Sequence, residues 1–213
     1  MLPNKQIMAD AQTARCIFEA LGKIKEPAYM KESYLALAML LSGNDLDVIK
    51  EVSLFFDNPK EYFNKYKGDL EGERGIDSLS ELQKKPSIVL NDTLTKKDLM
   101  LVIDENEDLE EYIEEGYLQD LNKNALKNVK CIKELEKVEP EEYHSISTLV
   151  EHPEKQSAII DCISSEGYSF FIIGEDNSSY PLSLVKNTDR SKILELGKKA
   201  KLEFFLLPRV TRY

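Results

Sequence analysis

The stretch GYSFFIIGEDNSSYPLSLVK, residues 167–186, carries the clearest β signal in the chain. Two apolar or alternating runs, YSFFII and YPLSLVK, flank the turn-rich sequence EDNSS. Runs of this length that contain aromatic and β-branched residues, bounded by Gly, Asn, Asp and Ser, are typical of strands joined by a turn. We therefore predict a hairpin or two adjacent strands over residues 168–186.

The sequence on both sides of this hairpin predicts two more strands. A five-residue apolar run, residues 99–103, has the length of a buried strand, and KLEFFLLP supplies a final strand before Pro208. Between these strands, Pro153 opens a helix that Gly167 closes, and Asp189 is placed to cap another helix. A sheet of about four strands covered by helices follows from this order.

The first third of the chain predicts helices only. Apolar residues recur at helical spacing over residues 4–25, and Pro27 ends that pattern. The run SYLALAMLLSG, residues 33–43, is apolar nearly all round and predicts a central core helix. Asn44 or Asp45 can cap a third helix, and Pro59 opens a short aromatic fourth. The charged, glycine-rich KGDLEGERGID, residues 67–77, predicts an exposed loop.

Helices followed by a mixture of strands and helices are typical of the α+β class. We expect a helical N-terminal part followed by a small mixed sheet of about four strands covered by helices. The expected division is a helical region over residues 1–85 and an α+β region over residues 86–213, with one continuous domain as the alternative.

Composition restricts the class of protein and of partner. The 213 residues are 42% hydrophobic and 31% charged, which is ordinary globular usage, and no apolar run approaches the length that spans a bilayer. The net charge is −11. A chain of this charge lacks the basic patches that bind nucleic acid or anionic membranes, so we expect neither as a partner. The three cysteines, at long spacings, predict reduced thiols in a cytoplasmic protein without a disulfide.

The charge excess is concentrated in one part of the chain. Residues 101–154 hold 16 acidic and 5 basic side chains, and residues 104–120 hold nine acids and no Lys or Arg. This acidic segment fits the EF-hand calcium pattern at Asp104, Asn106, Asp108 and Glu115. However, Leu109 occupies the position of the glycine that lets the loop wrap the ion. We therefore predict a capped helix here rather than a metal site, and we expect no cofactor.

Five glutamates form the candidate binding surface on this predicted helix: Glu107, Glu110, Glu111, Glu114 and Glu115. Three readings of them stay open. They form a solvated helix face, they are partly neutralised by lysines of the following helical stretch, residues 123–137, or they dock a basic protein. Docking is favoured by the like-charge pairs at i and i+4, which destabilise an isolated helix.

Residues for catalysis are few. His144 and His152 are the only histidines, and Cys131 and Cys162 are the cysteines nearest to them in sequence. A cysteine and histidine pair is one alternative, but Cys162 falls on an apolar helix face and is better explained as an inert thiol. A hydrolase-type site near Asp104, at the end of the predicted strand, is a second alternative, because ligands often bind beyond strand ends.

The C-terminal part of the sequence resembles a known family. GYSFFIIGEDNSSYPLSLVKNTDRSKILELGKKA, residues 167–200, has a glycine, an apolar strand, an acidic or serine-rich turn, a Tyr-x-Leu-x-Leu-Val strand, and a helix with a small residue near its end. This order is similar to the C-terminal part of an uncharacterised family of bacterial cytoplasmic proteins. That family tends to carry Asp-Trp where this chain has Ile103 and Asp104. The resemblance implies no activity.

Two functions from different classes follow. The first is a non-enzymatic, cytoplasmic interaction protein that binds a basic protein partner through its acidic helix. In general form, a small acidic α+β protein is also similar to immunity proteins of bacterial toxin systems. The alternative is the hydrolase-type enzyme with a site near Asp104.

Overall fold

A computed structural model of the chain describes residues 26–104, 158–173 and 179–207. Six helices precede the first strand in this part of the chain: α1 (Glu26–Leu41), α2 (Leu46–Asp57), α3 (Pro59–Lys65), α4 (Lys67–Glu73), α5 (Leu79–Leu82) and α6 (Pro86–Thr95). The remaining described elements are β1 (Leu101–Asp104), α7 (Ala158–Ser165), β2 (Tyr168–Ile173), β3 (Ser179–Lys186), α8 (Arg190–Lys199) and β4 (Phe204–Leu207). The predicted α+β class is confirmed.

The four strands form one sheet in the order β1-β3-β2-β4. The predicted hairpin is present as the β2–β3 pair, in which Phe170 lies opposite Leu184. Every neighbouring pair is antiparallel, so the sheet is not of mixed direction. The chain passes from β3 through α8 to β4. Strand β4 therefore runs parallel to β3, and β2 lies between them and is antiparallel to both.

Pro181 lies in a strand that has neighbours on both sides, where a residue without an N–H is unusual. It pairs with Val102 of β1, whereas the pairing of β3 with β2 ends at Leu182. The ladder on the β2 side therefore stops before the residue that has no proton to donate.

The helical predictions are largely confirmed within the described residues. The central helix is α1, where Leu37 and Ala38 are fully buried. The cap of α2 is Asp45, whose carboxylate accepts hydrogen bonds from the N–H groups of Asp47 and Val48. Pro59 opens α3, as expected. The helix predicted over residues 4–25 lies outside the described part of the chain.

The prediction of an exposed loop over residues 67–77 is wrong. Residues Lys67–Glu73 form α4, because Leu70 is buried at 1% exposure and Ile76 at 2%. These two side chains join a small core with Phe55, Tyr62 and Phe63. The sequence shows few apolar residues here because a helix of about two turns can be anchored by one or two buried side chains.

The main core lies between the sheet and the helices that cover it. It contains Leu37 and Val52 from the helical region, Phe171 and Val185 from the sheet, and Leu196 from α8. Side chains from residues 1–85 and 86–213 thus share one cluster, and the division of the chain into two regions stays a prediction.

The predicted absence of a disulfide is also wrong, because Cys162 is disulfide-bonded. The other two cysteines, Cys16 and Cys131, lie outside the described residues. Long spacings along a chain do not show which thiols meet in space, so the sequence could not supply this bond. The cytoplasmic location, which rested on reduced thiols, stays a prediction.

Candidate functional site

The five glutamates of the predicted docking surface, Glu107, Glu110, Glu111, Glu114 and Glu115, lie outside the described residues. The structure does show where the acidic segment starts. Asp104 is the last residue of β1, opposite Ser179 of β3, and β1 is an outer strand of the sheet. The acidic segment therefore begins at the end of an outer strand of the sheet.

The residues proposed for catalysis are not brought together in the described part of the chain. His144, His152 and Cys131 lie outside it. Cys162 is half-buried on α7, and the disulfide removes its thiol from nucleophilic chemistry. The hydrolase alternative near Asp104 stays a prediction.

The helical region neutralises most of its own charges. At least seven of the ten Lys and Arg side chains in residues 26–97 lie in an ion pair with a carboxylate. The pairs are Lys31–Asp57, Lys50–Asp47, Lys65–Glu51, Lys67–Glu71, Arg74–Asp92, Lys96–Asp69 and Lys97–Asp47. These bases already have counter-charges in the helical region.

A cavity of about 230 Å³ opens between α2, α3 and the C-terminal end of α6. Seven side chains line it: Asp47, Glu51, Tyr62, Tyr66, Thr93, Lys96 and Lys97. Its position follows from the packing of α2 on α3 and on α6, which leaves a gap where the short α3 ends. We call this space the α2–α6 cavity.

The inner wall of the cavity is formed by Tyr62 and Thr93. Thr93 donates its hydroxyl proton to the carbonyl oxygen of Val89 over 2.6 Å. Tyr62 lies beside Thr93, and the two side chains share a hydrogen bond. Burial, and then the nearby charge of Asp92, raises the pKa of Tyr62, so this phenol stays protonated.

The outer wall carries an ionised carboxylate between two donors. Glu51 accepts hydrogen bonds from Lys65 over 2.5 Å and from the hydroxyl of Tyr66 over 2.8 Å. Burial opposes its ionisation, but these two donors outweigh burial and hold the pKa of Glu51 below its usual range. Lys65 and Lys96 also lie against the Tyr66 ring, at 4.9 and 4.3 Å from its centre. Tyr66 is therefore fixed at its hydroxyl and at its ring.

Two ion pairs lie at the mouth of the α2–α6 cavity. Lys97 reaches Asp47 over 3.3 Å, and the two side chains are 42% and 66% exposed. The hydrogen bond and charge of Lys97 lower the pKa of Asp47, so this carboxyl group is ionised near neutral pH. Lys96 bonds Asp69 over 2.8 Å from the same end of α6. The cavity thus has charges of both signs around an aromatic interior.

This site was not predicted from the sequence. The aromatic residues near Pro59 were expected in a helix, but Thr93 and the helix α6 were not predicted at all. The available signal was the run SIVLNDTLTKKD, residues 87–98, where an apolar helix ends in two lysines. Nothing in the sequence shows that Lys97 meets Asp47, 50 residues earlier, or that Lys96 meets Asp69, 27 residues earlier.

A second polar cluster joins the start of α8 to the sheet. The guanidinium of Arg190 donates to the hydroxyl of buried Ser169 over 2.5 Å, and that hydroxyl donates to the side-chain oxygen of Asn187 over 2.5 Å. Burial lowers the pKa of Arg190. These bonds anchor the first turn of α8 on β2, so their role is structural.

Asp189 precedes that turn without capping it through its side chain, contrary to the prediction.

In the described residues, none of the helices is both long and apolar enough to cross a membrane. No curated protein and no solved structure matches the chain. A family model described as a domain of unknown function (DUF6630) matches residues 33–207. This match runs from inside α1 to the end of β4, so it contains the sheet and the α2–α6 cavity. The chain therefore belongs to the family that this domain of unknown function, DUF6630, defines.

Proposed function

We propose that the protein is an interaction protein that binds a basic protein partner through Glu107, Glu110, Glu111, Glu114 and Glu115. The observation that carries the proposal is the distribution of ion pairs. At least seven of ten bases in residues 26–97 are paired with acids of the same region, whereas residues 104–120 contain nine acids and no base. The acidic segment keeps a charge that those bases do not compensate.

The placement of the segment supports the same proposal. It follows β1, an outer strand of the sheet, rather than a strand in the middle. A concentrated negative charge at the edge of a folded domain attracts a basic surface and raises the association rate with it. Neutralising a basic toxin in the cytoplasm is one instance of such a function.

The experiment compares wild-type protein with a variant in which Glu110, Glu111, Glu114 and Glu115 are all replaced by Lys. Each is used as bait in an extract of the native cell, and retained proteins are identified by mass spectrometry. A basic protein retained by the wild type alone is then purified, and its association rate is measured against salt concentration. We expect a rate that falls as salt rises, because salt screens exposed charges.

A charge-matched control separates the effect of the acidic segment from the effect of net charge. Replacing Glu71, Glu73, Asp77 and Asp161 by Lys changes the net charge by the same amount, at positions that are exposed on the described surface. This control should retain the partner. Thermal melting of all three proteins checks that each is folded. Retention of the same partner by the four-Glu variant, or its loss from the control, would refute the proposal.

A further inference from the structure

We propose that the α2–α6 cavity binds a small zwitterion with an apolar body, of the free α-amino acid class. This site does not involve the acidic segment and is independent of the docking proposal. Its argument rests on the charges at the mouth, the aromatic interior and the unused hydrogen-bonding capacity of the groups that line it.

The charges around the cavity favour a ligand that carries both signs. Asp47 and Glu51 lie four residues apart on α2, so they project from the same face of that helix. Lys96 and Lys97 approach from the end of α6. A simple anion would meet the two carboxylates, and a diamine would meet the two ammonium groups. A zwitterion can place its ammonium beside the carboxylates and its carboxylate beside the lysines.

The interior favours a small apolar body. Tyr62 is 3% exposed and lines the inner end together with buried Thr93. The Thr93 hydroxyl already donates its proton to the carbonyl of Val89, and the Tyr62 ring and the Thr93 methyl group give the inner end apolar surface. At about 230 Å³ the cavity lies below the roughly 300–1,000 Å³ typical of pockets for drug-sized ligands. An amino acid is a ligand of the appropriate class and scale.

The ionic groups have bonding capacity left for a ligand. An ammonium group carries three donors, and Lys97 uses one of them on Asp47. A carboxylate accepts about four hydrogen bonds, and Glu51 accepts two, one at each oxygen. The Lys97–Asp47 pair is exposed, and exposed pairs contribute little to stability, so a ligand can replace it at small cost.

The test is isothermal titration calorimetry of the full-length protein with individual L-amino acids, beginning with leucine, methionine and phenylalanine. We expect one of them to bind at one site per chain. Its N-acetyl derivative and its methyl ester, each lacking one charge, should bind at least tenfold more weakly. Equal binding of a singly charged derivative, or no binding of any amino acid at millimolar concentration, would overturn the proposal.

Variants locate the site. Lys97→Gln and Glu51→Gln should each weaken binding at least tenfold, because each removes one of the two charges that the ligand needs. The matched control is Lys60→Gln, an exposed lysine on α3 that does not line the cavity. It should bind as the wild type does. Thermal melting shows that each variant is folded, and binding that survives in both cavity variants would place the ligand elsewhere and refute the site.

Discussion

The ring of Phe204 occupies the space that a side chain on Gly197 would need. A Cβ atom built on Gly197 would lie 2.4 Å from Cε1 of that ring, although Gly197 is an ordinary residue of α8. Moving the ring aside would disturb its packing on Phe171, with 5.4 Å between ring centres. The glycine thus sets how closely α8 approaches β4.

Gly197→Ala should therefore destabilise the protein by about 2 kcal/mol, because overpacking outweighs the gain in helix propensity. Urea denaturation measures this change. The control is Gly72→Ala in α4, where nothing lies within 4 Å of the new Cβ, and it should leave stability unchanged or raise it slightly. In a double-mutant cycle, Phe204→Leu should relieve part of the Gly197→Ala loss. Additive effects would contradict the contact.

Arg74→Met should lower the free energy of unfolding by about 3 kcal/mol at pH 7. Arg74 donates two hydrogen bonds to Asp92, at 2.5 and 3.0 Å, and both side chains are largely buried. Without Arg74 the carboxylate is left charged and unpaired. Urea denaturation at pH 7 measures the loss, and Arg74→Met combined with Asp92→Leu should recover most of it.

The loss of stability caused by Arg74→Met should depend on pH. Burial raises the pKa of Asp92 in the folded state despite the opposing effect of Arg74, so the folded protein holds this proton to higher pH than the unfolded chain does. Stability from this group is present at low pH and falls as pH rises through the folded pKa. Removing Arg74 raises that pKa further. The loss of stability between pH 4 and pH 7 should therefore be larger in Arg74→Met than in the wild type, and an equal loss would contradict this account.

Asp45→Ala should lower the free energy of unfolding by about 1 kcal/mol, because it removes the acceptor for two N–H groups at the start of α2. Asp45→Asn keeps a side-chain oxygen and should cost less. Asn44→Gly is a control at the preceding residue, where the φ of 70° suits glycine, and we expect no loss there. Thermal melting of the three variants checks the order, and equal losses from Asp45→Ala and Asp45→Asn would exclude the cap.

Leu70→Ala should cost about 3 kcal/mol, as expected when a buried leucine leaves a cavity. The same substitution in an exposed loop would lower the free energy of unfolding by no more than about 0.5 kcal/mol. Urea denaturation thus distinguishes the packed helix α4 from the loop that the sequence predicted. The exposed neighbour Glu71, replaced by Ala, serves as the control and should change stability little.

The elements that the sequence predicted are those with a local cause. The hairpin of residues 168–186 follows from two apolar runs around a turn, α3 from Pro59 at its first position, and α2 from the cap at Asp45. The acidic segment is likewise visible as charge, and its function is still a proposal. Each of these signals lies within about ten residues of the structure that it predicts.

Contacts between distant residues were decided by the tertiary structure. Leu70 is buried because Phe55 and Tyr62 lie next to it, not because of a pattern in its own segment. The α2–α6 cavity places Lys97 against Asp47, which is 50 residues away. A sequence shows which side chains are charged or apolar, but packing decides which of them meet. For this protein, the strand and helix signals were readable along the chain, while the α2–α6 cavity arose only when α2, α3 and α6 packed together.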